Sequence, residues 1–224
     1  MDIPEKPKQN ISRDLIRIHM IISRGTGIAL ERGQDFLKNG FPDERMRQGY
    51  RDYVGCLVSV IDAHHLAEDD VAFPQLGVKI PAAPYKLLAA DHQKMTAVLA
   101  EIRSAMDGLM GEASSQALGG VLGGLKRLRD MWFPHINIEE THFTPEKIEE
   151  VMGDEEQGAL SAQMGKYSQE HTSPNYLIIP FLLFNLPPAE RDKFAQALPP
   201  VITEQLVPHA WKEQWQPMQP FLLT

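Results

Sequence analysis

Between Ile11 and Val151 the apolar positions recur every three to four residues in four successive stretches, the repeat of helices that bury one face. The first stripe runs Leu15, His19, Ile22, Thr26 and Ala29 and stops near Asn39-Gly-Phe-Pro42, a C-cap followed by a proline stop. Asp43 then caps a second helix whose seam is Tyr50, Val54, Leu57, Ile61, His64 and Glu68. After a connection from Pro74 through Pro81 and Pro84, a third seam carries Leu88, His92, Met95, Leu99, Ile102 and Met106, with Gly108 and Gly111 ending it. A fourth begins near Ser114 and holds the most regular stripe, Leu118, Val121, Leu125, Leu128, Trp132, His135, Glu139 and His142; Pro134 should kink it or lock a local irregularity. Four amphipathic helices with short connections predict an all-α fold, an up-down-up-down four-helix bundle over residues 11–152.

On either side the pattern changes. Residues 1–10 are polar and proline-rich and read as an N-terminal arm. From 153 to 224 the regularity weakens. A fifth helix is suggested by Leu160, Met164, Tyr167 and His171, and the remainder is apolar, proline-punctuated and aromatic, with Trp211 and Trp215 as a buried anchor. Such a composition is too apolar for a free linker, so a helical C-terminal extension packed on the bundle is expected.

Composition narrows the partners. A formal charge of −8 and the absence of any Lys/Arg cluster with interleaved aromatics argue against nucleic acid. The start of the chain lacks the apolar stretch of a signal peptide, and the longest apolar run, Tyr176 to Phe184, is too short to span a bilayer; a cytoplasmic protein without membrane association is expected. Cys56, the single cysteine, lies in a helical pattern as a small buried hydrophobe.

The seams are not wholly apolar. His64 and Glu68 are four residues apart, as are His135 and Glu139, so each pair projects from one helix face. A lone histidine precedes each pair at a nearly equal distance, His19 and His92. Buried carboxylates and imidazoles are costly unless paired or metal-bound. Four imidazoles and two carboxylates pointing inward therefore predict a dinuclear metal site between four helices. Shared between two ions, these six donors leave positions for water, O₂ or peroxide, and mixed N/O ligation without thiolate suits iron or manganese better than a closed zinc site.

The His64-His-Leu-Ala-Glu68-Asp69 run followed by Phe73-Pro74, the single His19 and His92, and His135-Ile-Asn-Ile-Glu139-Glu140 followed by Pro145 resemble the hemerythrin-like, HHE cation-binding family from about Ile11 to Val151. The resemblance implies a non-haem di-iron centre held by His19, His64, Glu68, His92, His135 and Glu139, with Glu68 and Glu139 bridging and manganese or zinc as alternative ions. Two departures stand out. The oxygen carriers of the family have a second histidine one turn after the single histidine of the third helix, where this chain has Thr96, and their last carboxylate spacing would select Glu140 over Glu139. The pattern is thus closer to iron-sensing and peroxide-reactive members than to reversible oxygen carriers.

Other polar residues compete for roles. His65 and Asp69 form a second pair at i, i+4, read as an outer or surface pair, with His65 as the first substitute ligand. His142 makes an ExxH spacing with Glu139, as in ferritin-like bundles, but no match follows Glu68. Tyr167 and His171 share a face and are read as packing or hydrogen-bonding groups. The expected function is binding of O₂ or peroxide with redox or peroxide-decomposing activity, an oxidoreductase or catalase-like enzyme. The alternative is a module that senses or stores iron, oxygen or nitric oxide without turnover. The sequence leaves the oligomeric state open.

Overall fold

A computed structural model describes residues 10–111 and 114–223, and among them every regular element is a helix, with no strand. The N-terminal arm expected before Asn10 lies outside the described residues. Four long helices dominate: α1 (Ile11–Asn39), α2 (Glu44–Ala67), α4 (Tyr85–Met106) and α5 (Ser114–His142), with the short α3 (Phe73–Lys79) between α2 and α4. None is long and apolar enough to cross a membrane.

The ends of α1 and α2 follow from local chemistry. The Asn10 side chain accepts from the Arg13 N–H, and Asp43 Oδ1 accepts from Met46 N–H at 2.7 Å, each satisfying a donor the helix leaves unpaired. Gly40 ends α1 at φ 78°, a left-handed conformation that glycine tolerates without steric cost, and its N–H reaches Phe36 O at 2.8 Å.

One proline expectation is corrected. Pro74 was expected to open a loop, yet the chain stays helical to Lys79, because α2 passes at Glu68–Ala72 into one wider π turn. That turn sends the Phe73 N–H to Glu68 O, and Pro74 falls in the first turn of α3, where its missing N–H costs nothing. Pro134 lies inside α5, which continues as one helix from Ser114 to His142.

Each long helix crosses three layers in turn. One apolar cluster holds Ile21 and Ile22 of α1, Leu57 and Ile61 of α2, Met95 and Leu99 of α4, and Leu128 and Trp132 of α5. A second holds Ile11, Ala72, Leu88 and Phe143. The polar seam residues lie between them along every helix. Helices α1 and α4 pass from the second cluster to the first, and α2 and α5 pass the other way.

The C-terminal residues cover both clusters. Helices α6 (Pro145–Val151) and α7 (Asp154–Glu170) bring Ile148 and Leu160 to the second cluster, and the buried Gln157 accepts from Ile11 N–H. Helix α7 ends at Glu170, so His171 falls just past it and is exposed. Helices α8 (Asn175–Phe184), α9 (Pro188–Gln196) and α10 (Lys212–Trp215), joined by a π segment at Ile202–Ala210 and continued by a 3₁₀ turn at Gln216–Phe221, join the first cluster through Phe181, Trp215 and Met218. Trp215 is buried, with Nε1 donating to Val207 O, whereas Trp211 is only half-buried. A Cβ on Gly49 would lie 1.9 Å from Pro217 O, so only glycine lets this tail lie against α2. Cys56 is buried there, its Sγ 3.9 Å from Met218 Sδ, and burial pushes its thiol pKa well up, consistent with an inert packing residue.

Candidate metal centre

The structure brings all six seam residues together in the layer between the two apolar clusters. His19, His64, Glu68, His92, His135 and Glu139 are each buried, His64 being the most exposed at 6%. The helical i, i+4 spacing sets His64 Nε2 3.4 Å from Glu68 Oε2 on α2 and its π turn, and His135 Nε2 3.3 Å from Glu139 Oε1 on α5. The lone histidines close the ring from the neighbouring helices. His19 Nε2 is 3.2 Å from Glu139 Oε2, His92 Nε2 is 3.4 Å from Glu68 Oε2, and the Nε2 atoms of His92 and His135 are 3.0 Å apart.

Two four-residue donor sets result, within each of which the ligand atoms lie within 4.8 Å of one another. One is His19, His64, Glu68 and Glu139; the other is His92, His135, Glu68 and Glu139. Both carboxylates belong to both sets. Glu140 does not enter: it is outside, its Oε1 2.8 Å from His19 Nδ1. Asp69 does the same for His92, its Oδ1 2.9 Å from that Nδ1. Each repeat therefore supplies one carboxylate to the cluster and the next acid to a histidine of another helix, which turns that ring's Nε2 inward. Sequence reasoning missed this crossing; its signal was the second acid in Glu68-Asp69 and Glu139-Glu140.

The expected His65–Asp69 pair does not form. Asp69 is taken by His92, and His65 is buried at 2% exposure with neither ring nitrogen hydrogen-bonded. The other candidates point elsewhere. His142 Nδ1 donates to Ile138 O, His171 Nδ1 donates to Tyr167 O, and the Tyr167 hydroxyl donates to Asp70 on the π turn. Thr96 is exposed. Trp132, noticed in sequence only as a seam residue, packs edge-on against His19 and His64 and anchors itself through Nε1 to Ser23 Oγ at 2.9 Å.

Burial and mutual proximity shift these groups in different directions. Burial, then Glu139 and Asp69, hold the Glu68 carboxyl well above the usual carboxylate range. Burial acts on Glu139 too, but the close approach of His135 and His19 outweighs it and keeps that carboxyl well below its usual range. Burial, reinforced by neighbouring imidazoles, keeps His64 and His65 well below the ordinary histidine value, in the neutral form that ligates metals.

The residues fit a metal. His19 Nε2, His64 Nε2, Glu68 Oε2 and both Glu139 oxygens are buried without a hydrogen bond, their mutual approaches being close but misaligned. Each such group costs about 1–3 kcal/mol if left so. A divalent cation accepting these nitrogen and oxygen lone pairs would satisfy them together.

The chain matches the family model of the hemerythrin HHE cation binding domain over residues 28–146, more than half its length. The match takes in Glu68, both HxxxE pairs and His92 but begins after His19, whose place in the cluster rests on geometry alone. No curated protein and no solved structure matches.

Proposed function

Since the chain belongs to the hemerythrin HHE cation-binding family, we propose that it is a dinuclear non-haem iron protein that binds O₂ or peroxide and carries out redox chemistry on it. The observation that carries this reading is the sharing of Glu68 and Glu139 between two buried donor sets. His19 and His64 would hold one ion and His92 and His135 the other, with the two carboxylates common to both. Manganese meets the same donor chemistry; zinc meets it less well, since closed four-donor zinc sites commonly use thiolate. When bound, the iron pair would exchange electrons with the oxygen species, being oxidised as O₂ or peroxide is reduced and, in disproportionation, being returned to its starting state by a second peroxide that is oxidised to O₂.

The protein's own groups orient and enclose. Glu140 and Asp69 fix the rings of His19 and His92, and the apolar layers on either side keep bulk water from the donors. The alternating passage of α1, α2, α4 and α5 between the two clusters supports an up-down-up-down four-helix arrangement for residues 11–152, with 153–224 as its cover.

Anaerobic loading with ferrous iron followed by O₂, peroxide or azide tests the function. New visible or near-ultraviolet bands and consumption of peroxide are expected; a spectrum unchanged by all three overturns it. A second reading, a sensor or store without turnover, is favoured by the tail that locks onto α1 and α2 through Arg24 and Tyr53. Proteolysis of residues 173–224 that slows on iron loading supports that reading, and equal cutting in both states removes it.

A further inference from the structure

The π turn at Glu68–Ala72 opens with three consecutive acids, and each leaves in its own direction. Glu68 enters the donor layer, Asp69 goes to His92 Nδ1, and Asp70 accepts from the Tyr167 hydroxyl of α7. A π turn is a rare interruption of an α-helix, so what holds this one in place is informative. Relaxation to a regular helix would rotate one flank by about 100°. Either Phe73 would leave the His92 ring, on which it lies at 5.7 Å and 15°, or Glu68 would leave the layer.

Helix α7 grips the outer side of this turn and of α3 along its length. In antiparallel order, Tyr167 meets Asp70, Gln163 Oε1 accepts from Gln75 Nε2 at 2.9 Å, and Glu156 Oε1 lies 2.7 Å from Lys79 Nζ. Between these rungs, Leu160 and Met164 join Ala72, Phe73 and Leu76 in the second apolar cluster. The rungs fit only this backbone. In an unbroken α-helix residues five apart diverge by about 140°, so Asp70 and Gln75 could not both face α7; the extra residue absorbed by the π turn brings them to one side. Helix α7 also lies beyond residue 146, where the family match ends, so this grip belongs to the chain's own extension and not to the matched domain.

We propose that α7 is a brace that positions Glu68 and Asp69, with Tyr167 as its chief positioning residue because Asp70, unlike Gln75 and Lys79, lies within the turn itself. This role rests on the dinuclear reading above. Since Glu68 belongs to both donor sets, loosening the brace weakens both ions together.

The test compares the full-length wild type with Tyr167→Phe, which removes the hydroxyl and keeps the ring, and with Ser161→Ala, which cuts a tie of α7 to α1, Ser161 Oγ to Asp14 Oδ2 at 2.8 Å. Hydrogen–deuterium exchange of residues 69–76 is followed on the metal-free proteins, and anaerobic ferrous titration with ⁵⁷Fe Mössbauer spectra on the loaded ones. In Tyr167→Phe the exchange should quicken, the affinity for both ions should fall about fivefold, as loss of one hydrogen bond allows, and the quadrupole doublets should shift. Ser161→Ala should change none of the three. Wild-type exchange in Tyr167→Phe, faster exchange with wild-type affinity and spectrum, or an equal loss of affinity in Ser161→Ala overturns the proposal and leaves the dinuclear reading in place. Fewer than two ions on the wild type overturns that reading, and the brace loses its metal donor with it.

Discussion

Two regions of the core bury polar side chains, and they treat them in opposite ways. Near the tail, Arg24 Nη1 donates to Asn185 Oδ1, to Phe221 O at 3.0 Å and to Tyr53 OH. The Tyr53 hydroxyl donates to the same Asn185 oxygen, and the Asn185 amide donates to Phe181 O. Each of these groups finds its partner within the chain. In the layer of His19, His64, Glu68, His92, His135 and Glu139, a few turns along the same helices, donors crowd together with lone pairs unanswered. A polar group satisfied internally holds a fold together; a cluster left unsatisfied in one place, with two carboxylates among it, is arranged for something added from outside.

Separating the two regions by mutation breaks or sharpens this contrast. The largest effect is expected from Glu68→Gln, an isostere of the protonated carboxyl. It should weaken metal binding by more than the roughly 10- to 100-fold that loss of an outer partner costs, while moving the thermal stability of the metal-free protein little. Arg24→Met should do the reverse, costing about 2 kcal/mol in denaturant unfolding while leaving metal stoichiometry unchanged. If Glu68→Gln unfolds the metal-free protein, or Arg24→Met empties it of metal, the two regions are not distinct in kind.

Asp69→Asn and Glu140→Gln refine the contrast inside the cluster. Each should lower metal affinity by roughly 10- to 100-fold by releasing one histidine ring, with the stoichiometry retained at saturating metal. An equal lack of effect in both would make the two contacts surface ornament. The smallest effect is protonic. Because the folded-state carboxyl of Glu68 is raised by burial and by Glu139 and Asp69, it keeps its proton to higher pH than a free carboxyl, and a cation must displace it. His19 contributes in the same sense: burial opposes its charge, but Glu139 and Glu140 raise it overall. Proton release on ferrous loading, followed with an indicator dye, should therefore grow as the pH is lowered from 8 to 6, and release that is absent or constant would contradict the assigned charges.

Much of the site was legible because it is locally encoded. The four-residue spacing of His64 with Glu68 and of His135 with Glu139 is a property of one helix, and so are the caps at Asp43 and Gly40. What escaped depends on neighbours distant in sequence. Asp69 and Glu140 act on rings of other helices, and their role cannot be read from their own stripe. His65 looked like half of an outer pair because Asp69 stands four residues on, but His92 claims that acid. Pro74 reads locally as a stop; only the π turn before it lets the helix continue. The Arg24, Tyr53 and Asn185 lock joins residues more than a hundred positions apart, beyond the reach of any periodicity.

The central claim is that the unsatisfied layer is a site for two cations sharing Glu68 and Glu139. Anaerobic ferrous titration of the wild type beside Glu139→Gln addresses it most directly. The account predicts two ions per wild-type chain and loss of both in the variant, because each ion depends on the shared carboxylate. One ion or none on the wild type, or two ions held undiminished by Glu139→Gln, would contradict it.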